Sequence, residues 1–318
     1  MRFITESEVR SVLTPELVFD AVKEVFNNYA KGTATMPSKV YLDMPTPGDD
    51  YRAMPASTSK YAGIKWIADY GSNSKRNIQT TNALIILNNK HTGQPLSVIE
   101  GNFITQCRTA ATTALTTEAV LNGDNVDKMA FIGCGFQTMA HVQFLMHVVK
   151  TKHISIYDIN VKKAQDFAKS LGKTFEKISV CNSVEEAIEG CRVITTLTPS
   201  RKPYINNSML DKPVHINAVG CDSEGKRELN DDVLFDCSTL IYDDKEQASH
   251  SGESQYRVGP THLHRNTHLK EYELKDLLRW PSQTLSDKIQ KNLSIFDSTG
   301  LAIEDIALAQ VVYDKLNK

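Results

Sequence analysis

No stretch of this chain approaches the ~18 consecutive apolar residues that a membrane span needs. Its opening residues, MRFITESEVR, hold no apolar h-region, so neither insertion nor export is expected. Charge of one sign is not in surplus: 36 Lys and Arg stand against 38 Asp and Glu, a formal −2. That balance gives no electrostatic footprint for nucleic acid or an anionic membrane surface. The six cysteines (Cys107, Cys134, Cys181, Cys191, Cys221, Cys237) form no CxxC pair and have no histidine at metal-ligand spacing. They read as reduced core thiols of a cytoplasmic protein, with no metal site. Internal repeats and low-complexity linkers are also missing. What remains is a globular composition, 41% hydrophobic and 23% charged over 318 residues, long enough for two domains.

The stretch from Lys128 to Asp158 organises the rest. Met129 to Ile132 suit a strand buried on both faces, and Gly133-Cys134-Gly135 allows a sharp turn with exposed backbone N–H groups. A helix with apolar residues at Val142, Leu145, Met146 and Val149 follows. Its positive end and those N–H groups suit a pyrophosphate. Ile154 to Tyr157 makes a second strand, and Asp158 stands where a carboxylate accepts hydrogen bonds from an adenosine ribose. The third position of GxGxxG is Thr138, so a glycine turn without a ligand stays open as the alternative. Asp158 favours NAD over NADP because a carboxylate repels a 2′-phosphate, while Lys162 and Lys163 work against that preference.

Before this unit, Thr14-Pro15-Glu16 marks a helix start, and Val18, Val22, Val25, Phe26 and Tyr29 form its apolar stripe up to Gly32. Short strands follow at Lys39–Met44, Arg52–Met54, Ala62–Ala68, Ala83–Leu87 and Leu96–Ile99, an antiparallel region. Ile104 to Leu121 reads as a helix closed by Asn122-Gly123. After Asp158, helices near Val161–Leu171 and Val184–Glu189 alternate with strands near Ile178–Cys181, Arg192–Leu197, His215–Val219 and Thr239–Tyr242. That is the rhythm of a doubly wound parallel sheet, whose ligand loops lie at the carboxyl ends of strands. Three loops qualify: Thr198–Ser200, Gly220–Lys226 and Phe296–Gly300. The final helix, Ile303 to Leu316, is expected to return to the N-terminal region. The fold class is therefore α/β, a Rossmann sheet plus a second α+β domain.

Polar residues stand out in the β region. Lys39, Arg52 and Lys65 each lie beside apolar neighbours, where an unpaired charge is costly. Each alone fits a solvated strand face. The three together fit a pocket for a carboxylate-bearing substrate, with arginine as its bidentate partner. Arg108 is open between a surface charge and a phosphate clamp. Asp222, in a glycine-flanked loop, is the best placed acid/base group, with an ordinary loop carboxylate as the alternative.

The stretches MPSKVYLDM, YRAMP, YAGIKW, TGQPLSVIEG to TQCRTAATTA, FIGCGFQ, TLTPSRKP, HINAVGCDSEGKREL and FDSTGLAIED resemble the ornithine cyclodeaminase/mu-crystallin family, and within it the archaeal-type alanine dehydrogenases. The resemblance implies a substrate-binding and dimerisation domain of residues 1–115 and 301–318. An NAD(P)-binding Rossmann domain of residues 116–300 would be inserted in it, in a homodimer whose β regions pair. By the same resemblance Lys39, Arg52 and Lys65 line the substrate site, Thr299 lies near the substrate and Asp222 is the acid/base residue. Thr80, Arg108, Gly133, Gly135, Phe136, Gln137, Asp158, Thr198, Asn217, Ala218, Val219, Lys226 and Ser298 would contact NAD, or NADP in its place. Members of the family oxidise alanine, cyclise ornithine to proline, reduce cyclic ketimines or, in mu-crystallin, also bind thyroid hormone. Their enzymes share hydride removal from Cα of an amino acid, which generates an imine. In the cyclodeaminase branch a carboxylate near the position of Arg52 would receive ornithine's distal amine, so the arginine here speaks for a substrate without a distal cation. The expected activity is NAD-linked interconversion of a small amino acid and its imino or oxo acid. Ornithine cyclisation and cofactor-dependent binding without catalysis are the alternatives.

Overall fold

The computed structural model describes residues 1–76, 78–257 and 268–317. The chain opens with β1 (Arg2–Ile4), α1 (Glu6–Val12), α2 (Pro15–Ala30), β2 (Val40–Asp43), β3 (Asp49–Ser57), β4 (Tyr61–Tyr70), β5 (Thr81–Asn89), β6 (Pro95–Glu100) and α3 (Asn102–Leu121). It continues with β7 (Lys128–Ile132), α4 (Thr138–Val148), β8 (His153–Tyr157), α5 (Val161–Ser170), β9 (Lys177–Val180), α6 (Val184–Ile188), β10 (Val193–Thr196), β11 (Val214–Ala218) and α7 (Asp231–Asp236). The last elements are β12 (Thr239–Tyr242), α8 (Lys245–Ser251), β13 (Lys270–Glu273), α9 (Leu274–Leu277), α10 (Ser282–Lys288), β14 (Leu293–Asp297) and α11 (Ala302–Leu316). Two compact units result, Met1–Thr112 with Gly300–Lys318, and Thr113–Thr299.

In the first unit, Thr14 caps α2 by accepting the Leu17 N–H, and Pro15 occupies the first turn. The apolar stripe Val18, Val22, Val25 and Phe26 is buried. The six strands run in the order β1-β6-β5-β4-β3-β2. Pairing is antiparallel from β2 to β6, but β1 joins β6 in parallel. The antiparallel region expected from sequence between residues 36 and 100 is present; β1 is not expected from it, because a three-residue strand carries no readable alternation. Strand alternation sorts the sheet into two faces. Arg52, Met54, Lys65, Ile67, Ala83, Ile85 and Leu87 are buried, on the side where α11 packs against β3, β4 and β5. The helix also packs on α2, so the expected return of the C-terminus is present. On the opposite face Val40, Leu42, Trp66, Leu84 and Ile86 are exposed.

The second unit holds eight parallel strands among its described residues, in the order β13-β12-β14-β11-β10-β7-β8-β9. From β7 the chain winds outward through β8 and β9, then crosses back to β10, so the topological switch point lies where β7 and β10 meet. The carboxyl ends there are Ile132 and Thr196. Sequence reading missed α1, α7 to α10, β13 and the body of β14. All are short, and the helices among them have seven residues or fewer.

Buried carboxylates tie the strand ends. Asp297, the last residue of β14, accepts the Glu253 N–H at 3.0 Å, the Ser254 N–H at 2.8 Å and the Ser254 hydroxyl at 2.5 Å. Burial, with the nearby Asp243 charge adding to it against the Ser254 hydrogen bonds, pushes its carboxyl up from 3.8 to about 7. A raised folded-state pKa means that the native state binds more protons than the unfolded chain between pH ~4 and ~7. This contribution to stability is full below that window and lost as pH rises through it. Asp297→Asn should therefore gain stability relative to wild type as pH is raised from about 4.5 to 7.5. Urea unfolding of both proteins across that range checks it, and a pH-independent difference would show that Asp297 does not titrate there.

Candidate active site

In the first unit the sheet's covered face carries charge. Lys39, Arg52 and Lys65 are 8%, 4% and 0% exposed, which excludes the solvated strand face. Lys65 Nζ stands 2.7 Å from Asp305 Oδ2 of α11 and donates to Thr105 Oγ1 at 3.4 Å. Arg108 is not a surface charge either. It is buried, its Nε donates to Asp305 Oδ1 at 3.1 Å and its Nη1 to Glu304 Oε2 at 3.2 Å. Thr112 donates to the other oxygen of Glu304 at 2.9 Å. Burial first, then the Arg108 charge, push the Lys65 ammonium down to about 7, and the Lys39 charge acts the same way. Asp305 opposes them. Lys39, Lys65 and Arg108 thus form one cationic cluster against Glu304 and Asp305.

Tyr41 links Lys39 to Arg52. It lies opposite Arg52 across β2 and β3, with Lys39 Nζ 5.6 Å and Arg52 Cζ 5.5 Å from its ring centroid, within cation–π range. Arg52 itself is engaged by carboxylates: Nε donates to Asp50 Oδ1 at 2.7 Å, and Nη2 to Asp50 Oδ2 at 3.1 Å and Asp69 Oδ2 at 3.0 Å. Two carboxylates offset the charge of this guanidinium. The argument from Arg52 against a distal cation loses its basis. Thr80 sits half-buried before β5 and accepts the Tyr70 N–H at 2.7 Å. Sequence reading passed over Tyr41, Asp50, Asp69, Glu304 and Asp305. The two acids inside LAIEDIALA were the available signal, since buried carboxylates in an apolar helix imply a cationic partner.

In the second unit β7 ends in the glycine turn at the switch point. Gly133 has φ +100°, and a Cβ on it would meet Leu197 O at 2.9 Å, so the turn requires glycine. Gly135 is exposed with open space around its Cα. Thr138 needs no glycine: buried, its hydroxyl donates to Gly133 O at 2.9 Å and closes the turn. Gln137, the N-cap residue of α4, makes no side-chain cap bond. Its Oε1 is buried without a hydrogen-bond partner. An uncapped helix start, exposed backbone at Gly135 and an orphaned amide oxygen fit a phosphate-bearing ligand with hydrogen-bond donors. Phe136 lies half-buried in the same turn. Asp158 stands at the end of β8 as expected, with its oxygens accepting the Cys134 and Asn160 N–H groups at 2.8 Å each. Each oxygen keeps a second lone pair for a ribose hydroxyl.

The remaining residues divide. Asp222 and Lys226 come together at 2.7 Å in the Gly220–Lys226 loop, their side chains 29% and 7% exposed. Thr198 donates to Glu228 Oε1 at 2.6 Å. Glu228, missed by sequence reading, is wholly buried and also accepts from Thr196 Oγ1, Tyr204 OH, Thr198 N and Gly220 N at 2.6 to 2.9 Å. One carboxylate thereby holds the loops after β10 and β11. The Ser298 N–H bonds to Ala218 O at 3.0 Å. Thr299 gives its N–H and hydroxyl to Asp243 at 2.6 and 2.9 Å and accepts from Gln247 at 2.7 Å. The Asn217 side chain is fully buried, bonded to Thr117, Thr195 and His215 at 3.0 to 3.3 Å. Two amide hydrogens and a carbonyl oxygen so occupied leave that side chain out of ligand contact. Ala218 and Val219 are buried beside it.

The sequence profile of the ornithine cyclodeaminase/mu-crystallin family matches residues 2–318. Alanine dehydrogenase of Archaeoglobus fulgidus is 36% identical over 318 residues, spanning 98% of this chain and 94% of its own. Ornithine cyclodeaminase of Agrobacterium fabrum is 30% identical over 266 residues, 83% of this chain and 72% of its own. The solved archaeal alanine dehydrogenase dimer with bound NAD superposes with a TM-score of 0.86 at 34% identity, over 100% of this chain and 96% of that one. By a profile match running from end to end and relatives similar along nearly all of its length, this chain belongs to the ornithine cyclodeaminase/mu-crystallin family.

Proposed function

We propose that this chain is an NAD-dependent oxidoreductase interconverting a small amino acid and its imino or oxo acid. The observation that carries the reading is the buried cluster of Lys39, Lys65 and Arg108 on the sheet face covered by α11. Such a concentration of buried cationic donors suits the carboxylate of an amino-acid substrate. The substrate groups are those of this cluster, the cofactor groups are Gly133, Gly135, Gln137 and Asp158, and Asp222 is the acid/base candidate. NAD is favoured over NADP by Asp158. Six free cysteines suit a reducing compartment such as the cytoplasm.

When bound, the nicotinamide accepts or donates the hydride. Arg108 and Lys39 hold the substrate carboxylate. Lys65, with its ammonium brought down to about 7, is able to give or take a proton at the amino or imino nitrogen near neutral pH. As hydride leaves Cα the amine becomes an imine, and water adds to it to form a carbinolamine. Asp222 takes the proton from that water and returns one to the departing ammonia, leaving the oxo acid. The pairing of Arg52 with Asp50 and Asp69 favours keeping diamino acids as a second substrate class, because these carboxylates offset the guanidinium charge that would repel a distal ammonium.

A homodimer is part of the proposal. Val40, Leu42, Trp66, Leu84 and Ile86, 40 to 63% exposed on one sheet face, make an apolar surface of the kind that partners cover, and the related archaeal alanine dehydrogenase is a dimer.

Three outcomes are expected. Purified protein given NADH, ammonia and a panel of 2-oxo acids and cyclic imines should consume NADH with pyruvate or a cyclic imine. Separate assay of ornithine with NAD for proline and ammonia tests the second class, and cofactor binding without any turnover would leave a binding protein. Asp222→Asn keeps size and hydrogen bonding without proton uptake, so it should lower kcat by about 10²–10⁴ with little change in NAD affinity. A variant above about a tenth of wild-type kcat, where chemistry limits the rate, removes Asp222 from proton transfer. Light scattering should give twice the mass of the 318-residue chain, and Trp66→Arg with Leu84→Glu should shift it toward the monomer.

A further inference from the structure

We propose that Asp305 is the positioning residue of the substrate half-site, holding Lys65 and Arg108 in fixed relation from a single carboxylate. The inference rests on the reading of Lys65 as a proton-transfer group, and it extends that reading to a residue of the C-terminal helix.

The geometry is specific to Asp305. Its side chain is wholly buried, with one oxygen 2.7 Å from Lys65 Nζ and the other accepting Arg108 Nε at 3.1 Å. Glu304, one position earlier, is also buried, but its partners are Arg108 at 3.2 Å and Thr112 at 2.9 Å. Successive residues on a helix diverge by about 100°. That divergence lets Glu304 grip the guanidinium from its side while Asp305 spans both cations. The bridge joins β4, α3 and α11. Thr105 of α3 gives Lys65 a hydroxyl acceptor at 3.4 Å, too long for a strong bond.

The charges facing Lys65 come from three directions: Arg108 on α3, Lys39 before β2 and Asp305 on α11. Burial and both cations favour the neutral amine, and Asp305 favours the ammonium. Loss of this carboxylate thus does two separable things. It frees the Lys65 and Arg108 side chains from each other, and it removes the carboxylate 2.7 Å from the Lys65 nitrogen.

A residue that only supports the fold changes stability and scales activity equally at every pH. A positioning residue moves the titration of the group it holds. In Asp305→Asn, the limb of the kcat pH profile that belongs to Lys65 should shift to lower pH by about one unit or more. Lys65→Met should abolish that limb, and Glu304→Gln should raise KM while leaving the limb in place. An unmoved limb in Asp305→Asn, or an equal shift in Glu304→Gln, overturns the proposal.

Urea unfolding provides the readout that does not need turnover. Asp305→Asn leaves the buried Lys65 without its carboxylate partner and lowers the midpoint, and adding Lys65→Met to it should recover most of that loss. A double variant no more stable than Asp305→Asn overturns the pairing, even where the single variant is too unstable to assay. If Lys65→Met leaves the pH limb intact, the proton-transfer reading of Lys65 falls by itself, and the unfolding cycle still decides whether Asp305 holds Lys65.

Discussion

The ion pair between Lys65 and Asp305 ties the sheet of the first unit to its last helix. A lysine with no exposure in the middle of a six-stranded sheet needs an anion in place. Removing one partner of such a pair leaves a buried charge and costs about 3–5 kcal/mol. The anion comes from the last helix, so α11 must return across β3, β4 and β5 for the sheet to be tolerable. Burial of Ile303, Ile306, Leu308 and Val312 on that helix adds the apolar contribution. The charge and the packing make the same demand on the chain.

The second unit solves the opposite problem. Its strand ends carry buried carboxylates, and backbone N–H and hydroxyl groups satisfy them. Glu228 collects hydroxyls from Thr196, Thr198 and Tyr204 and the Thr198 and Gly220 N–H groups. Asp297 collects Glu253 and Ser254, and Asp243 collects Thr299. Such bonds cross from one loop to the next, so the loops at the carboxyl ends of the parallel strands are held by one another. Rigid loops at a switch point suit a cofactor that has to be presented in one orientation.

Family membership leaves the chemistry open among its reactions, and the balance of charge around a few side chains discriminates among them. Arg52 illustrates the point. Its identity speaks for repulsion of a distal cation, but Asp50 and Asp69 cancel that charge within 3.1 Å. A residue's formal charge says little about the local field until its partners are known.

The amino-acid sequence by itself determined the elements and their rhythm. Strand, glycine turn, helix and terminal acid from Lys128 to Asp158 are legible because they depend on neighbours in the chain, and so are the cap at Thr14 and the alternation from β2 to β6. It also singled out Lys39, Arg52 and Lys65, since charge beside apolar residues is anomalous in any local reading. Tertiary structure alone decided what those charges do. Asp305 lies 240 positions from Lys65 in the numbering and 2.7 Å from it in space, and no periodicity links the two. The same holds for Asn217, whose place in a motif suggested a ligand contact and whose amide is spent on Thr117, Thr195 and His215. Local pattern follows from backbone geometry over a few residues, whereas charge compensation and hydrogen-bond saturation are settled between segments that meet only after the chain has folded.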